Sequence, residues 1–241
     1  MIGQLDYPGA RLLMEANSEV EKQWRLHACA KEPWTVKFVE AARGQFVDAG
    51  ANVGSYTLIA VSRGLSVVAI EPAFPNYAAL CRNLTVNAFQ DGIRKRSFLE
   101  AVLVCPVLLG STHGLSWLHY SDLNAGAASH VVTQTGEYPG DPSFHRQLIP
   151  SVPLDAILGT IPAEHRWVKI DVDGAEAAVL EGATTTLDDP ATEAWLIEVK
   201  PKETEAPVCA IMEAHGWRMV ERYDRGGKGG VAYTEWRRDG V

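Results

Sequence analysis

Four acidic residues of this sequence stand beside or at the end of short apolar runs that have the composition of buried strands. They are Asp48, Glu71, Asp171 and Glu198. The carboxyl ends of parallel strands meet at one edge of an open sheet, and such sheets bind ligands at that edge. Carboxylates gathered there can accept hydrogen bonds from an ammonium group or from ribose hydroxyls, and they can take a proton from a reacting alcohol. The pattern therefore favours a cationic, hydroxylated ligand.

A glycine turn follows Asp48 and leads into a helical apolar pattern. Gly50 and Gly54 have no Cβ, so a ligand can approach the backbone closely there. The spacing Gly50-x-Asn52-x-Gly54 is not the GxGxxG of dinucleotide folds, and glycine turns also join strands to helices for structural reasons alone. Because the Asp48 carboxylate would repel a pyrophosphate, the turn favours a cationic ligand.

The alternation of strands and helices predicts a sheet that brings these residues together. Predicted strands cover residues 46–47, 66–71, 98–104, 167–171 and 195–199. Helical spacing lies between several of them, which is typical of a parallel, doubly wound α/β sheet. Two last runs, 216–223 and 231–236, are joined by a glycine-rich connection and predict a terminal antiparallel pair.

The chain divides into two parts by composition. Residues 1–43 predict an N-terminal helical cap, and residues 44–241 form the main domain. Within that domain, residues 106–150 interrupt the alternation and are rich in Gly, Ser, His and aromatic residues. Long irregular insertions are usually functional or disordered, so we expect this one on the substrate side. Its aromatic residues either line an acceptor pocket or only pack the insertion; they are Trp117, Tyr120 and Tyr138.

Three blocks of sequence contain most of these acids and glycines. They read FVDAGANVG at 46–54, IEP at 70–72 and VKIDVDGAE at 168–176. Together with VPLD at 152–155 and LIEVKP at 196–201, they resemble the FkbM family of S-adenosyl-L-methionine-dependent methyltransferases. The resemblance implies a class I methyltransferase (Rossmann-like) fold, with a mostly parallel seven-stranded sheet and an antiparallel terminal pair. It also implies methylation of oxygen.

The same resemblance implies roles for individual residues. It puts the glycine turn against the methionine part of the cofactor, Asp48 near its amino group and Glu71 on its ribose. It matches Glu100 and Ala101 to the place where the family lines the adenine, and Asn124-Ala125-Gly126 to an Asn-x-Gly element beside the active site. The implied cofactor-binding residues are Asp48, Gly50, Asn52, Gly54, Ser55, Tyr56, Glu71, Pro72, Glu100, Ala101 and Asn124.

Candidate catalytic residues are Asp171, Glu198 and His130. Asp171 lies where an acceptor alcohol would lose its proton, although it also suits a cap for the following helix. His130 stands about where the family has a small hydroxyl residue, and like His119 it is either a base or a loop histidine. Asp171 and Glu198 together can offer oxygen ligands to Mg²⁺, but two carboxylates are too few to assert a metal.

The charge and the hydropathy of the sequence limit the classes of partner that we expect. The net charge of −8 and the lack of a basic run argue against a nucleic-acid substrate. The longest apolar run is far shorter than the about 20 residues that a membrane span needs. The start lacks the pattern of a secretory signal, which predicts a cytoplasmic protein. We expect a small-molecule acceptor, a sugar or a secondary metabolite; the oligomeric state is not indicated.

Two other functions remain open at this stage. A nicotinamide-dependent oxidoreductase shares the strand, glycine turn and downstream acid, but Asp48 and the missing third glycine count against it. A non-catalytic cofactor-binding or interaction module would use residues 106–150 as a docking surface.

Overall fold

The computed structural model describes residues 1–89, 96–128, 130–133, 145–226 and 230–238. Its strands are β1 (Ile2–Gln4), β2 (Leu13–Glu15), β3 (Gln45–Ala49), β4 (Ser66–Ile70), β5 (Val102–Cys105), β6 (Leu108–Leu109), β7 (Gly114–His119), β8 (Val131–Thr133), β9 (Arg146–Val152), β10 (Arg166–Ile170), β11 (Thr192–Val199), β12 (Arg218–Asp224) and β13 (Ala232–Arg237). Its helices are α1 (Ala28–Lys31), α2 (Pro33–Ala41), α3 (Ser55–Ser62), α4 (Phe74–Ala88), α5 (Arg96–Glu100), α6 (Leu154–Leu158), α7 (Glu176–Glu181), α8 (Thr184–Asp188) and α9 (Glu205–Ala214), and a π-helical segment covers Glu21–Arg25.

Seven strands form the central sheet in the order β12-β13-β11-β10-β3-β4-β5. Strands β3, β4, β5, β10 and β11 run parallel, and β13 runs antiparallel to both β11 and β12. The register pairs Ala49 with Ile70 on one side and with Ile170 on the other, so these strands end at one level. The predicted fold class, a mostly parallel seven-stranded sheet with an antiparallel terminal pair, is confirmed.

Two apolar layers cover the faces of this sheet. Along β3, Phe46 packs into one cluster with residues of α3, and Val47 packs into the other with residues of α7. The middle strands β3, β10 and β11 are buried along their whole length. This is the environment that continuous apolar runs predict for strands covered by helices on both faces.

The N-terminal region contains two strands as well as the predicted helices. Strands β1 and β2 pair antiparallel, and two asparagines of α4 bond the backbone of β2: Asn83 to Glu15, and Asn87 to Leu13. Apolar residues of this region belong to the same cluster as Phe46; they are Leu5, Tyr7, Leu12, Met14, Phe38 and Val39. Residues 1–43 therefore complete the main core rather than forming a separate cap of helices.

The described part of residues 106–150 is more regular than the insertion that the sequence predicted. With β9 continuing to Val152, it forms a second sheet of four strands in the order β6-β9-β7-β8. In β7, Ser116 and Leu118 are buried while Leu115 is exposed, which is the alternation of a strand. The Gly, Ser and aromatic residues of this region made that alternation hard to recognise from the sequence. Tyr138, one of the aromatic candidates, lies outside the described residues.

The third predicted strand is shorter than expected. Residues 98–100 belong to helix α5, and β5 begins only at Val102. Among the described residues, none of the helices is both long and apolar enough to cross a membrane.

Candidate active site

A cavity of about 550 Å³ opens at the carboxyl edge of the central sheet. Its volume is within the range of about 300–1,000 Å³ that is usual for small-molecule sites. The ends of β3, β4, β10 and β11 form its floor, and the N-terminal region and the second sheet form its walls. Nine of the predicted site residues line it: Gly50, Asn52, Ser55, Tyr56, Glu71, Pro72, His130, Asp171 and Glu198.

The glycine turn forms the junction between β3 and α3. Gly50, Asn52 and Gly54 all have positive φ angles, of 78°, 51° and 94°. A Cβ on Gly50 would lie 1.8 Å from the carbonyl oxygen of Asp171, and one on Gly54 would lie 2.4 Å from Leu80 Cδ1. The glycines are therefore required by close packing inside the protein, besides any approach of a ligand.

Asp48 lies beneath this turn and is fully buried. Its Oδ1 accepts a hydrogen bond from Lys169 Nζ at 3.0 Å, and its Oδ2 accepts one from Thr57 Oγ1 at 2.7 Å. Burial alone would lower the pKa of Lys169, but the charges of Asp48 and Asp171 outweigh it and raise that pKa. Asp48 is absent from the residues that line the cavity, so it holds Lys169 in place of the ligand ammonium group that the sequence suggested.

Glu71 follows β4 and faces the cavity from a buried position. Its Oε2 accepts the backbone N–H of Asn52 at 2.8 Å, and its Oε1 accepts that of Ala73 at 2.9 Å. Burial raises the pKa of Glu71 from 4.5 to about 7, against the lowering effect of these hydrogen bonds. The side chain of Asn76 is a third hydrogen-bond partner of Glu71. Two carboxylate oxygens offer about four acceptor sites, so one site is left for a ligand hydroxyl.

Asp171 and Glu198 form a pair of carboxyls at the ends of β10 and β11. The Tyr233 hydroxyl lies 3.1 Å from Asp171 Oδ2 and 3.4 Å from Glu198 Oε1. Burial and the charge of Asp171 raise the pKa of Glu198 to about 10. Burial opposes ionisation of Asp171 too, but Lys169 and Glu198 lower its pKa. Asp171 therefore ionises before Glu198.

The N-terminal region supplies a charged wall above this pair. The carboxylate of Glu32 accepts a hydrogen bond from Tyr56 Oη at 2.8 Å and contacts Lys31 Nζ at 2.9 Å. Arg225, after β12, lies 3.8 Å from both Glu32 Oε1 and Glu198 Oε1. Opposite charges thus surround the pair, and sequence reasoning did not include Lys31, Glu32 or Arg225.

The backbone of residues 125–127 closes the cavity on the side of the glycine turn. Asn52 Nδ2 and Asn76 Nδ2 both donate to the carbonyl oxygen of Ala127, each at 3.0 Å. Asn76 Oδ1 accepts the N–H of Gly126, whose carbonyl oxygen accepts two bonds from Arg25. Asn76 and Arg25 were missed from sequence, although a buried asparagine in an apolar helix face is a signal of a polar partner.

Four predicted cofactor residues lie away from the cavity lining besides Asp48. Glu100 and Ala101 precede β5, at the opposite edge of the sheet, because Val102 pairs with Val67 near the start of β4. The adenine role implied for them does not fit this geometry, and Val107, beyond the end of β5, faces the cavity instead. Asn124 is exposed and bonds Asp122, and Gly54 is covered by Leu80.

His130 lines the cavity from the second sheet. Its Nδ1 lies 3.3 Å from both the backbone nitrogen and the hydroxyl of Ser121, and its ring packs edge-on against Tyr120. Burial lowers its pKa, so the ring is neutral at pH 7. His119 is buried and bonds Thr133. In the described ranges, no group of three or more His, Cys, Asp or Glu side chains is arranged to hold a metal ion.

Solved structures share this fold at low sequence identity. The structure resembles Sp1610 of Streptococcus pneumoniae, a proposed tRNA (m1A22) methyltransferase, with a TM-score of 0.50 and 15% identity over 86% of this chain and 68% of that one. It resembles the tRNA (uracil-54, C5)-methyltransferase of Pyrococcus abyssi with a TM-score of 0.52 and 13% identity over 98% of this chain and 44% of that one. The magnesium protoporphyrin IX methyltransferase of Synechocystis has a TM-score of 0.49. Its sequence is 12% identical over 93% of this chain and 86% of that one.

The fold is that of a class I methyltransferase, which is Rossmann-like. The order of the strands, the glycine turn after β3 and the cavity at the carboxyl edge of the sheet define it. No curated protein sequence matches the chain. The family model for the methyltransferase FkbM domain matches residues 48–223. The chain belongs to this family of methyltransferases, as the sequence blocks predicted.

Proposed function

We propose that the protein transfers a methyl group from S-adenosyl-L-methionine to a hydroxyl oxygen of a small molecule, such as a sugar or a secondary metabolite. The observation that carries this proposal is the carboxyl pair at the floor of a cavity of about 550 Å³, where Lys169 Nζ lies 3.7 Å from Asp171 Oδ2 and lowers the pKa of Asp171. An ionised carboxylate at that point can accept the proton that an alcohol loses on methylation. The family assignment supports this function over a nicotinamide-dependent oxidoreductase.

The residues around Glu71 fit the cofactor. Besides its bonds to Asn52, Ala73 and Asn76, the Glu71 carboxylate keeps an acceptor site for a ribose hydroxyl. Ser55 and Tyr56, at the start of α3, would lie beside the methionine part. When bound, S-adenosyl-L-methionine supplies a methyl group on a positively charged sulfur, which favours attack by an oxygen held in line with that bond.

The side chains at the ends of β10 and β11 would act on the acceptor. Lys169 keeps Asp171 anionic, so that carboxylate accepts a hydrogen bond from the acceptor hydroxyl and then its proton. Neutral Glu198 adds no second negative charge beside it. Holding the acceptor oxygen in the correct direction supplies much of the rate, and the proton acceptor adds about 10²- to 10⁴-fold.

A small molecule is favoured over a nucleic acid as the acceptor. The net charge of −8 opposes contact with a phosphate backbone. The two most similar structures above are described as tRNA enzymes, so tRNA is the competing acceptor in the test. The cytoplasmic location expected from the sequence stays a prediction.

The test uses S-adenosyl-L-methionine with an isotopically labelled methyl group. The protein is incubated with pools of sugars and hydroxylated metabolites, and separately with total tRNA. We expect label in a hydroxyl of a small molecule. The Asp171→Asn variant should lose at least about 100-fold in kcat, while its affinity for S-adenosyl-L-homocysteine stays within threefold of the original.

Asp188→Asn is the control, because it removes the same charge from a side chain that is 67% exposed and lies outside the cavity lining. We expect less than a tenfold loss in kcat. Label in tRNA alone would overturn the small-molecule proposal. Cofactor binding without transfer to any pool would instead support a non-catalytic module.

A further inference from the structure

Tyr233 stands between the two carboxyls in a position that sequence reasoning did not identify. It is fully buried, and it is the cross-strand partner of Glu198 in the pairing of β13 with β11. We infer that the Tyr233 hydroxyl is a positioning group that joins Glu198 to Asp171 in one hydrogen-bonded relay and directs one oxygen of Asp171 toward the acceptor. The inference deepens the proposed function and rests on it.

The proton count fixes the direction of this relay. A phenol has one proton to donate and lone pairs to accept with. If Tyr233 donates to Asp171 Oδ2, its contact with Glu198 Oε1 is a hydrogen bond only when Glu198 carries a proton. Burial and nearby charge raise the pKa values of both Tyr233 and Glu198, which keeps both groups protonated. Glu198 also hydrogen-bonds Asp171 directly. The Asp171 carboxylate therefore accepts from both neighbours, and the Tyr233 hydroxyl contacts both members of the pair.

Two contacts of Asp171 fall on the same oxygen. Tyr233 Oη and Lys169 Nζ both lie nearest to Oδ2, at 3.1 Å and 3.7 Å, and Glu198 is a third hydrogen-bond partner of this carboxylate. In the proposed arrangement, Oδ1 accepts the hydrogen bond of an acceptor hydroxyl. In the reaction, the new oxygen–methyl bond forms as the sulfur–methyl bond breaks, the electron pair of that bond stays on sulfur, and the hydroxyl proton goes to Oδ1. Tyr233 touches none of the reacting atoms in this arrangement.

Other charged and titratable groups surround the relay and would remain when the hydroxyl is removed. They are Arg25, Lys31, Glu32, Asp48, Tyr56, Lys169, Asp173, Glu176 and Arg225. A change in titration on loss of the Tyr233 hydroxyl alone therefore reports on the relay.

Tyr223 offers a matched control in the same hairpin. It is the cross-strand partner of Tyr233 on β12, and the Trp34 ring lies 5.8 Å from the ring of Tyr223 and 5.6 Å from that of Tyr233. Its hydroxyl contacts Glu235 at 3.3 Å. Tyr223→Phe thus removes an equivalent hydroxyl near the same tryptophan without touching the carboxyl pair.

The decisive experiment is an NMR pH titration of ¹³C-labelled Asp and Glu carboxyls in the full chain without cofactor or acceptor. Asp171→Asn and Glu198→Gln spectra assign the two steps of the pair. In Tyr233→Phe we expect the lower step to rise by about 1 pH unit, because the ionised Asp171 loses a hydrogen bond worth about tenfold in its equilibrium. In Tyr223→Phe the step should stay in place. An unchanged lower step in Tyr233→Phe overturns the relay.

A second substitution guards against a Tyr233→Phe variant that does not fold. Replacing Tyr233 by 3-fluorotyrosine keeps the ring and makes the hydroxyl a stronger donor, so the lower step should fall; a step that stays or rises contradicts the relay. Neither readout needs turnover. If the lower titration step moves in these variants but the protein methylates no hydroxyl, only the proposed function is refuted. If the protein is an active O-methyltransferase but the lower step does not move, only the relay is refuted.

Once the acceptor is known, the pH profile supplies a further check. The acid limb of kcat/KM should move up by about 1 pH unit in Tyr233→Phe, in step with the titration of Asp171. Tyr223→Phe should keep the original limb. A uniform loss of rate at every pH would indicate a structural role and would overturn the relay.

Discussion

Glu71 and the Asp171–Glu198 pair are buried carboxyls at the same edge of one sheet, but they are held in different ways. The oxygens of Glu71 accept two backbone N–H groups, which cannot change their charge. The pair is surrounded by side chains that carry charge or a proton: Lys169, two residues before Asp171, and Tyr233 and Arg225 from later in the sequence. The difference separates a carboxylate suited to binding from a pair suited to proton transfer.

The largest expected effect comes from breaking the charge balance beneath the pair. Lys169→Met leaves Asp48 without its buried cation, and loss of one partner of a buried ion pair costs about 3–5 kcal/mol. Urea unfolding measures the loss. Adding Asp48→Asn should recover part of the stability. The control Lys200→Met changes a more exposed lysine and should cost less than about 1 kcal/mol. Equal losses in the two single variants would contradict a buried pair.

Gly50 lies between Glu71 and the Asp171–Glu198 pair, so a side chain at this position should disturb both. An alanine Cβ would meet the Asp171 carbonyl oxygen at 1.8 Å and force a positive φ on a residue other than glycine. We expect Gly50→Ala to lower the free energy of unfolding by about 3 kcal/mol or more. At Gly64 φ is also positive, but a Cβ would meet no described atom within 4 Å. Gly64→Ala should therefore cost about 1 kcal/mol, and similar values for both would exclude the clash.

Glu71 should make cofactor binding depend on pH. Its pKa of about 7 means that the carboxylate form, which accepts ribose hydroxyls, becomes dominant as pH rises through 7. Affinity for S-adenosyl-L-homocysteine should thus fall by up to about tenfold per pH unit below 7, as measured by calorimetry. Glu71→Gln should remove this dependence. Glu193→Gln is the control, because hydrogen bonding to Arg43 lowers the pKa of Glu193 to about 2, well outside the range tested.

The smallest expected effect is that of Glu198 on the pH dependence of the free energy of unfolding. Its pKa is raised from 4.5 in the unfolded chain to about 10 in the folded protein. Its contribution is therefore fully present below about pH 4.5 and is lost as pH rises toward 10, at no more than about 1.4 kcal/mol per pH unit. Glu198→Gln cannot ionise, so thermal unfolding between pH 6 and 8 should show a flatter slope than the original chain. An identical slope would place Glu198 outside the pair.

Sequence reasoning identified the parts of the site that depend on neighbouring residues. The turn from Asp48 to Gly54 and the acid after β4 are local patterns, and strand ends predicted that Glu71, Asp171 and Glu198 share an edge. The pairing of Asp48 with Lys169 was not predicted. A lysine within an apolar strand is a signal, since a buried cation needs a partner.

The contacts that were not predicted join residues that are far apart in the sequence. Tyr233 reaches Asp171 across 62 positions, and Asn52 reaches Ala127 across 75. Local periodicity carries no information about such contacts. The second sheet was missed for a related reason, because its strands pair out of sequence order and two of them, β6 and β8, have only two and three residues. The family resemblance matched Glu100 and Ala101 to the adenine, but residues 98–100 belong to helix α5 and both residues lie at the opposite edge of the sheet.

The order of the last strands makes the site sensitive to truncation. Strand β13 lies between β11 and β12, and β12 is hydrogen bonded to no other strand of the described sheet. A stop codon or proteolytic cut before Ala232 would therefore detach two strands rather than one. It would also expose the buried edge of β11, a surface prone to aggregation. Fusion tags and shortened expression variants should leave this segment intact.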